Sequence, residues 1–376
     1  MGMAINIRRV PLVDLAAQHA EIADEVAAGL ATVIESGCFV GGPEVTAFEC
    51  ELARAHGVGH CVGVANGTDA LEFALRAADI GRGDEVILPA NTFIATAEAV
   101  VRAGATPVLV DSDAEFHLID VDAAAAAIGS RTAALIAVHL YGQLAPMERL
   151  CDLTQKASLA LVEDAAQAQV ARRSRSGAGS FGLAAATSFY PGKNLGAYGD
   201  GGAALTDDPA IARRVRLLGN HGSEVKYDHV ELGFNSRLDA MQAVVLRAKL
   251  SRLAGWNAQR RAAARRYHEL LADIDDVHTP GVLPGNEHVW HLYVVRVPAA
   301  RRDALVQALA EGGIGVGVHY PVPIHLQGAF RHLGYCQGDF PVAEAAAAQI
   351  VSLPLYPHIT PGQQERVVDA IARVLR

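Results

Sequence analysis

Between residues 62 and 164, short apolar runs alternate with segments of helical periodicity, and this alternation limits the folds open to the chain. Strands are predicted at residues 62–65, 85–88, 106–110, 133–138 and 159–162, and helices at 68–79, 92–102 and 147–156. The strands are too uniformly apolar to have one face in water, which is typical of a parallel sheet covered by helices on both faces. We therefore predict an α/β fold with a parallel or mostly parallel sheet.

Further elements are predicted on both sides of this region. Residues 15–34 and 44–56 have helical periodicity, strands are predicted at 184–189 and 202–205, and a long helix at 238–271 leads out of the first domain. Beyond a segment rich in Pro and Gly, the predicted elements are a strand at 288–297, a helix at 301–312, a strand at 314–318 and a helix at 363–375. We predict a large α/β domain over residues 1–250 and a smaller C-terminal α+β domain over residues 251–376.

The composition disfavours several classes of protein. A net charge of −9 with scattered basic residues argues against a nucleic-acid binder, and no apolar run reaches the length of about 18 residues that a membrane helix needs. Residues 1–10 lack the apolar segment of a secretory signal. The five cysteines include no C-x-x-C pair, which indicates buried thiols in a reducing compartment. We expect a cytoplasmic protein that binds neither nucleic acid nor membrane.

Lys193 is the residue most suggestive of chemistry. It is one of four lysines among 32 basic residues, and it lies in a Gly-rich turn between two predicted strands. Arginine could supply charge at such a place, but only a primary amine can form a Schiff base with a carbonyl group and, when desolvated, move a proton near neutral pH. Taken alone, Lys193 could equally be an exposed loop residue.

Two further positions complete a pattern. Residues 66–70, Asn-Gly-Thr-Asp-Ala, follow a strand and open a helix whose free N–H groups suit a phosphate, although Thr68 could simply cap that helix. Asp164 follows an apolar strand at the sheet edge where ligands collect. A buried carboxylate there needs a cationic partner such as a protonated pyridine nitrogen, or it could be a helix cap. The order of phosphate site, acid and lysine favours a pyridoxal 5′-phosphate (PLP) enzyme.

Other motifs carry no prediction of a site. Residues 177–182 match G-x-G-x-x-G, but they follow a polar loop rather than a strand, so the context of a dinucleotide site is missing. Gly192-Lys193 is followed by Asn194 rather than Ser or Thr, unlike a P-loop. The 15 histidines include no H-E-x-x-H pair, and no metal site is predicted.

Seven blocks in order resemble the DegT/DnrJ/EryC1/StrS family of nucleotide-sugar aminotransferases over essentially the whole chain. They are residues 41–44, 66–71, 89–93, 138–142, 163–167, 188–196 and 233–239. The resemblance implies PLP fold-type I, the aspartate aminotransferase-like fold, with PLP as cofactor. It also implies a homodimer with shared active sites.

The resemblance assigns roles to individual residues. Lys193 would form the Schiff base with PLP, and Asp164 would pair with the pyridine nitrogen. Around the cofactor, Phe93 would stack on the ring, Gln167 would lie near its hydroxyl, and the remaining contacts would be Gly67, Thr68, Asp69 and Ser188, with Asn235 from the partner subunit. Candidate substrate contacts are Tyr190, Tyr320 and His325, although the last two lie in a Pro-rich segment that could be purely structural.

The implied reaction is a ping-pong transfer of an amino group from L-glutamate to a nucleotide-linked ketosugar. Residues 318–327 resemble the segment of family members that aminate C3 of a dTDP-linked 3-oxo-6-deoxyhexose, which is the preferred substrate. Amination at C4 of a dTDP- or UDP-linked 4-oxo sugar stays open, as does a non-catalytic regulator of the same fold. A dehydratase of this fold has His in place of the lysine, so Lys193 argues against it.

Overall fold

The structure, a computed structural model, describes residues 9–375. Residues 1–8, where no secretory signal is predicted, lie outside the described residues, as does residue 376. Within 9–375 the helices are α1 (Leu15–Ala20), α2 (Ala23–Ser36), α3 (Pro43–His56), α4 (Gly67–Ala77), α5 (Ala95–Ala103), α6 (Val121–Ala126), α7 (Met147–Ala157), α8 (Pro209–Gly219), α9 (Ala240–Leu271), α10 (Ala299–Glu311), α11 (Pro341–Gln349) and α12 (Pro361–Leu375).

The strands of the same range are β1 (His60–Val64), β2 (Glu85–Pro89), β3 (Thr106–Val110), β4 (Thr132–Val138), β5 (Ala160–Asp164), β6 (Arg172–Arg173), β7 (Ser176–Gly177), β8 (Ala184–Ser188), β9 (Gly202–Thr206), β10 (Ser223–Val225), β11 (Asp228–His229), β12 (Asn286–Glu287), β13 (Tyr293–Arg296) and β14 (Ile350–Leu353). None of the helices in residues 9–375 combines the length and the apolar character that a membrane span requires.

The central sheet has seven strands in the order β1-β9-β8-β5-β4-β2-β3. Strand β9 runs antiparallel to both of its neighbours, and every other pair is parallel. Both faces are covered, because Val86 and Leu88 of β2 pack into one core with α4, α5 and α8, while Ile87 packs into another with α3, α7 and α9. The prediction of an α/β fold with a mostly parallel sheet is confirmed.

A third core belongs to the C-terminal part of the chain. Tyr267 of α9, Tyr293 and Val295 of β13, and Ile371 of α12 meet there, and β13 pairs with β14 in a small antiparallel sheet. Helix α9 runs unbroken through residue 250, and Ile324 packs back into the first core of the large sheet. The division into domains at residue 250 therefore stays a prediction.

The helix predicted over residues 15–34 is interrupted. The chain leaves helical geometry at Ile22, and α1 and α2 lie on either side. The break lets the Ile22 side chain pack against Val245 and Ala248 of α9, while the Glu21 carboxylate accepts a hydrogen bond from Trp256 Nε1 at 3.0 Å. The break between α1 and α2 is therefore set by a contact with a distant helix, which the local sequence pattern does not indicate.

The strands predicted at residues 288–297 and 314–318 differ from the structure. Only Tyr293–Arg296 of the first is a strand, because His288 Nδ1 accepts the Trp290 N–H at 2.9 Å and Trp290 takes a left-handed conformation with φ of 49°. The second predicted strand has only isolated bridges at Ile314 and Gly317, and the partner of β13 is β14 instead.

The cysteine prediction is also corrected in part. All five cysteines are free, but Cys50 and Cys336 are exposed. Helix α3 buries Val45, Phe48 and Leu52, which leaves Cys50 on its outward face.

The Gly-rich segment 177–182 binds a carboxylate of the chain itself. The buried Glu163 accepts backbone N–H bonds from Gly179 at 2.8 Å, Phe181 at 2.9 Å and Gly182 at 2.8 Å, and a fourth bond from His139 Nε2 at 2.8 Å. Burial alone would raise the pKa of Glu163, but these donors hold the pKa below its ordinary value. The motif therefore fixes the end of β5.

Replacing Glu163 by Gln should lower the free energy of unfolding by about 3 kcal/mol or more, because an amide nitrogen would then face backbone donors in the interior. Urea denaturation measures the loss. Glu148→Gln is the control, since Glu148 is half exposed in its ion pair with Arg173 and should cost less than about 1 kcal/mol. Equal losses in the two variants would contradict this account.

Candidate active site

Lys193 lies in the connection between the antiparallel strands β8 and β9. The Lys193 N–H donates to the Tyr190 carbonyl at 2.8 Å, and the Ala197 N–H donates to the Phe189 carbonyl at 2.8 Å. Gly196 passes so close to Pro191 that a Cβ on it would lie 2.3 Å from the Pro191 oxygen. These contacts fix the backbone of the turn. We therefore expect the Lys193 side chain, rather than the backbone, to move there.

The turn borders a cavity of about 480 Å³ at the carboxyl ends of the parallel strands. A volume of this size is ordinary for a small-molecule site. Nine of the residues predicted for the site line it: Gly67, Thr68, Phe93, Asp164, Gln167, Ser188, Tyr190, Lys193 and Tyr320.

Asp164 ends β5 and is only 7% exposed. One carboxylate oxygen accepts a hydrogen bond from Thr96 Oγ1 at 2.8 Å, and the other accepts the Ala166 N–H at 3.2 Å. Thr96 in turn contacts Thr92 Oγ1 at 2.6 Å. Each oxygen keeps a lone pair beyond these bonds, so the group can receive a cationic donor from the cavity.

The Lys193 amine is poised for chemistry near neutral pH. Burial lowers its pKa to about 8, while the negative charge of Asp164 opposes that lowering. A substantial fraction of the amine is therefore uncharged at pH 7 to 8, as a nucleophile or base requires. The two side chains predicted to be catalytic act on each other across one cavity.

The N-terminus of α4 forms one wall of the cavity. Its cap is Asn66, whose Oδ1 accepts the Asp69 N–H at 2.9 Å, so the alternative interpretation of Thr68 as the cap is wrong. Thr68 is left facing the cavity beside Ser188. A Cβ on Gly67 would lie 2.7 Å from Ser188 Cβ, so the glycine lets the helix start approach β8. Free N–H groups, a helix dipole and two hydroxyls suit a phosphate.

Aromatic and amide side chains line the opposite part of the cavity. Gln167 Oε1 accepts the Tyr141 N–H at 2.6 Å, and Gln167 Nε2 donates to the Tyr320 hydroxyl at 3.1 Å. The Tyr320 ring lies 5.5 Å from that of Phe93, which is 55% exposed. Because Tyr320 accepts from Gln167, its own proton is free for a ligand.

Three of the predicted residues are not among the described residues that line the cavity. The Asp69 carboxylate accepts from Arg102 at 2.8 Å and from Ser236 Oγ at 2.7 Å, behind the helix start. The buried His325 contacts Glu344 through Nε2 at 2.9 Å. Asn235 is exposed on the surface of the chain. The cofactor and substrate contacts predicted for these three residues stay predictions.

Several residues in or next to the cavity wall were not predicted. Thr96 supports Asp164, and His291 and His319 line the cavity from the C-terminal part of the chain. Thr92 and Thr96 are spaced like neighbours on one helix face, which was the available signal. No local sequence pattern indicated the two histidines. His291 reaches the cavity because of the turn at Trp290, which the sequence did not predict.

The sequence profile of the DegT/DnrJ/EryC1/StrS aminotransferase family matches residues 20–372. The chain belongs to this family. As a member, it is a PLP-dependent aminotransferase of fold-type I.

Among its relatives, the dTDP-3-amino-3,4,6-trideoxy-alpha-D-glucose transaminase of Streptomyces venezuelae is 46% identical over 99% of this chain and 97% of its own. The UDP-N-acetyl-3-dehydro-alpha-D-glucosamine 3-aminotransferase of Acidithiobacillus ferrooxidans is 46% identical over 97% of this chain and 98% of its own. The crystal structure of S. venezuelae DesV in complex with a ketimine intermediate matches with a TM-score of 0.95 and 46% identity, covering 98% of this chain and 99% of DesV.

The donor set fits PLP on its own chemistry. Lys193 offers an amine for the aldehyde, Asp164 a buried carboxylate for the ring nitrogen, and the start of α4 with Ser188 a site for the phosphate. Phe93 offers an apolar ring surface in the same cavity. Each part of PLP therefore meets a group of the chemical type that binds it.

Gly67→Ala should weaken PLP binding about tenfold or more, because its new methyl group would displace Ser188 from the phosphate site. Equilibrium dialysis with PLP measures the affinity. Gly255→Ala is the control, since a Cβ there meets no atom within 4 Å. Unchanged affinity in Gly67→Ala would show that the phosphate does not bind at this wall.

The reactivity of Lys193 should rise with pH and be half-maximal near pH 8, since the uncharged amine is the reactive form. Trace acetylation of the cofactor-free protein, read from the peptide that contains Lys193, measures this midpoint. Asp164→Asn should move the midpoint lower, because the charge that favours the ammonium form is lost. A midpoint that rises or stays in that variant would contradict the assignment.

Proposed function

We propose that the chain transfers an amino group from L-glutamate to C3 of a nucleotide-linked ketosugar, with a dTDP-3-oxo-6-deoxyhexose as the preferred acceptor. The observation that carries this proposal is that Lys193, Asp164 and the start of α4 line one cavity. The names of two relatives, one dTDP-linked and one UDP-linked, both concern position 3 of the sugar and so support C3. They leave the nucleotide base to experiment. The five free cysteines favour a reducing compartment such as the cytoplasm.

Three residues would have separate roles in the transfer. When bound, PLP supplies an electron-accepting ring that stabilises the carbanion formed when a carbon loses its proton. Asp164 would keep the ring nitrogen protonated, because its carboxylate has lone pairs left for a cation. Lys193 would remove and return the proton, since its lowered pKa suits a base at neutral pH. Phe93 would cover the ring and exclude water.

Two tyrosines are proposed to orient the sugar. Tyr320 has a free hydroxyl proton and lies beside Phe93, so it can donate to a sugar oxygen within the cavity. Tyr190 is 61% exposed where the same cavity opens, which suits a contact with the sugar or the diphosphate. The acceptor would therefore enter past Tyr190 with its keto group toward Lys193.

We also propose a homodimer whose subunits share their active sites. Asn235 lies on the surface, and Arg237 donates to its Oδ1 at 2.9 Å, so the amide presents its NH₂ group outward as a donor. The adjacent hairpin of β10 and β11 carries the exposed Tyr227, and the exposed Leu232 follows the hairpin. An outward donor beside an apolar surface suits a contact with the phosphate of a partner subunit.

The central test is spectroscopic and enzymatic. The purified holoenzyme should lose its PLP absorbance when L-glutamate is added and recover it when the correct ketosugar follows, in a panel of dTDP- and UDP-linked 3-oxo and 4-oxo sugars. Lys193→Ala should abolish turnover because it removes the proton carrier, whereas Lys156→Ala, at an exposed site on α7, should not. A wild-type protein that binds PLP and never responds to glutamate would be a regulator instead.

Mixed dimers test the shared site. Lys193→Ala and Asn235→Asp should each be inactive or impaired alone, the second because a carboxylate would face the phosphate. After subunit exchange, one site of each mixed dimer has both lesions and the other has neither, so activity should return in part. Lys193→Ala mixed with Asp164→Asn is the control, because each chain then carries a lesion in its own site. If verified exchange restores nothing in the first mixture, Asn235 acts within its own chain.

A further inference from the structure

His291 lines the cavity but has no role in the proposed function. The left-handed turn at Trp290 brings it to the wall of the cavity, where it lies with Lys193 and His319. Its ring makes one hydrogen bond within residues 9–375, between Nδ1 and Asn194 Oδ1 at 3.3 Å. Asn194 directly follows Lys193, so this bond joins the lysine turn to the C-terminal part of the chain.

The hydrogen bonds of Asn194 determine which nitrogen of His291 carries a proton. Asn194 Nδ2 donates to the Val289 carbonyl at 2.9 Å and to Asn257 Oδ1 at 2.9 Å. A carbonyl can only accept, so the amide cannot be turned around, and its oxygen must face His291. Nδ1 of His291 is therefore the protonated nitrogen, and Nε2 has a free lone pair.

The surroundings of His291 keep the ring uncharged. Burial lowers its pKa well below the ordinary value, and the positive charges of Lys193 and Arg260 lower it further, as does His319. Arg260 is itself 1% exposed, and it donates to the Trp290 carbonyl at 3.1 Å. Because the ring does not take up a proton, Nε2 can accept a hydrogen bond without removing the proton from its donor.

The matching donor is the amine of Lys193. In residues 9–375 its Nζ forms no hydrogen bond, although it acts electrostatically on both His291 and Asp164. Asp164, Asp200 and His319 line the same cavity. Asp164 is already bonded to Thr96 and Ala166 and is the proposed partner of the ring nitrogen, and Asp200 is exposed. His319 contacts Ser352 Oγ through Nδ1 at 2.7 Å, and the His291 variants below distinguish His291 from it. An unpartnered donor and an unpartnered acceptor thus border the same cavity.

We propose that His291 is a positioning residue of the active site, whose Nε2 receives the Lys193 amine whenever that amine is not bound to the cofactor. The imidazole would hold the amine without deprotonating it, so the proton that Lys193 carries stays available for return to the substrate. This inference rests on the proposed function for the catalytic role of Lys193.

Two variants separate the two nitrogens of His291. His291→Asn places an amide where Nδ1 stood, which keeps a donor for Asn194 and removes the cavity acceptor. His291→Gln places its amide where Nε2 stood, which keeps an acceptor in the cavity and loses the donor for Asn194. The pair therefore distinguishes an acceptor for Lys193 from a mere anchor of the turn.

The test measures the acetylation midpoint of Lys193 in the full-length, cofactor-free protein. An ammonium group that loses its acceptor is less stable, so the midpoint should fall by about one pH unit in His291→Asn and stay near that of the wild type in His291→Gln. Lys249 is an internal reference, because its pKa is also lowered to about 8 but its amine donates to the Gly196 carbonyl at 2.7 Å. An unchanged Lys193 midpoint in His291→Asn, or equal falls in both variants, would overturn the proposal.

A second measurement does not depend on the folding of His291→Asn. In protein labelled with ¹⁵N-histidine, His291 should show a protonated Nδ1, and its Nε2 resonance should move downfield in Lys193→Met, where the donor is lost. An Nε2 resonance that is unchanged in Lys193→Met would overturn the proposal. These outcomes are independent of turnover. Failure of the proposed function would instead appear as full activity in Lys193→Ala, or as absence of any response to glutamate.

Discussion

The active site depends on two adjacent carboxylates that point to opposite faces of β5. Successive side chains of a strand alternate between faces, so Glu163 and Asp164 necessarily diverge. Glu163 is held in the interior by three backbone N–H groups and by His139. His139 is fixed in turn, because its Nδ1 accepts the Ala145 N–H at 3.2 Å. The buried charge thus anchors the strand end from which Asp164 faces the cavity.

This anchoring explains why segment 177–182 is not available to bind a phosphate at this edge of the sheet. Segment 177–182 has a sequence that elsewhere binds a phosphate, but in this chain its N–H groups are used by Glu163. The proposed phosphate site lies instead at the start of α4, where Gly67 allows close approach to Ser188. With the phosphate bound there, the loop at 177–182 and the start of α4 would perform the same physical task, the binding of an anion by backbone donors, for different anions.

Much of this arrangement could be predicted from the sequence. The apolar strands and their spacing predict the mostly parallel sheet, and the positions of Lys193 and Asp164 after strands predict that they meet at one edge. The failures have a common cause in contacts between distant segments. Ile22 leaves helical geometry to pack on α9, and β13 pairs with the distant β14 rather than with residues 314–318. Neither contact leaves a local periodicity in the sequence.

The reversed strand β9 has a mechanical consequence for turnover. Because β8 and β9 are antiparallel neighbours, the turn between them is closed by sheet hydrogen bonds on both sides, and Lys249 ties its far end through Gly196. The backbone of such a turn can move little when the Lys193 side chain moves. With Lys193 in its proposed role, the motion of each catalytic cycle would be confined to the four carbon–carbon bonds of one side chain, and a reorganisation of that size requires no refolding of the loop around it.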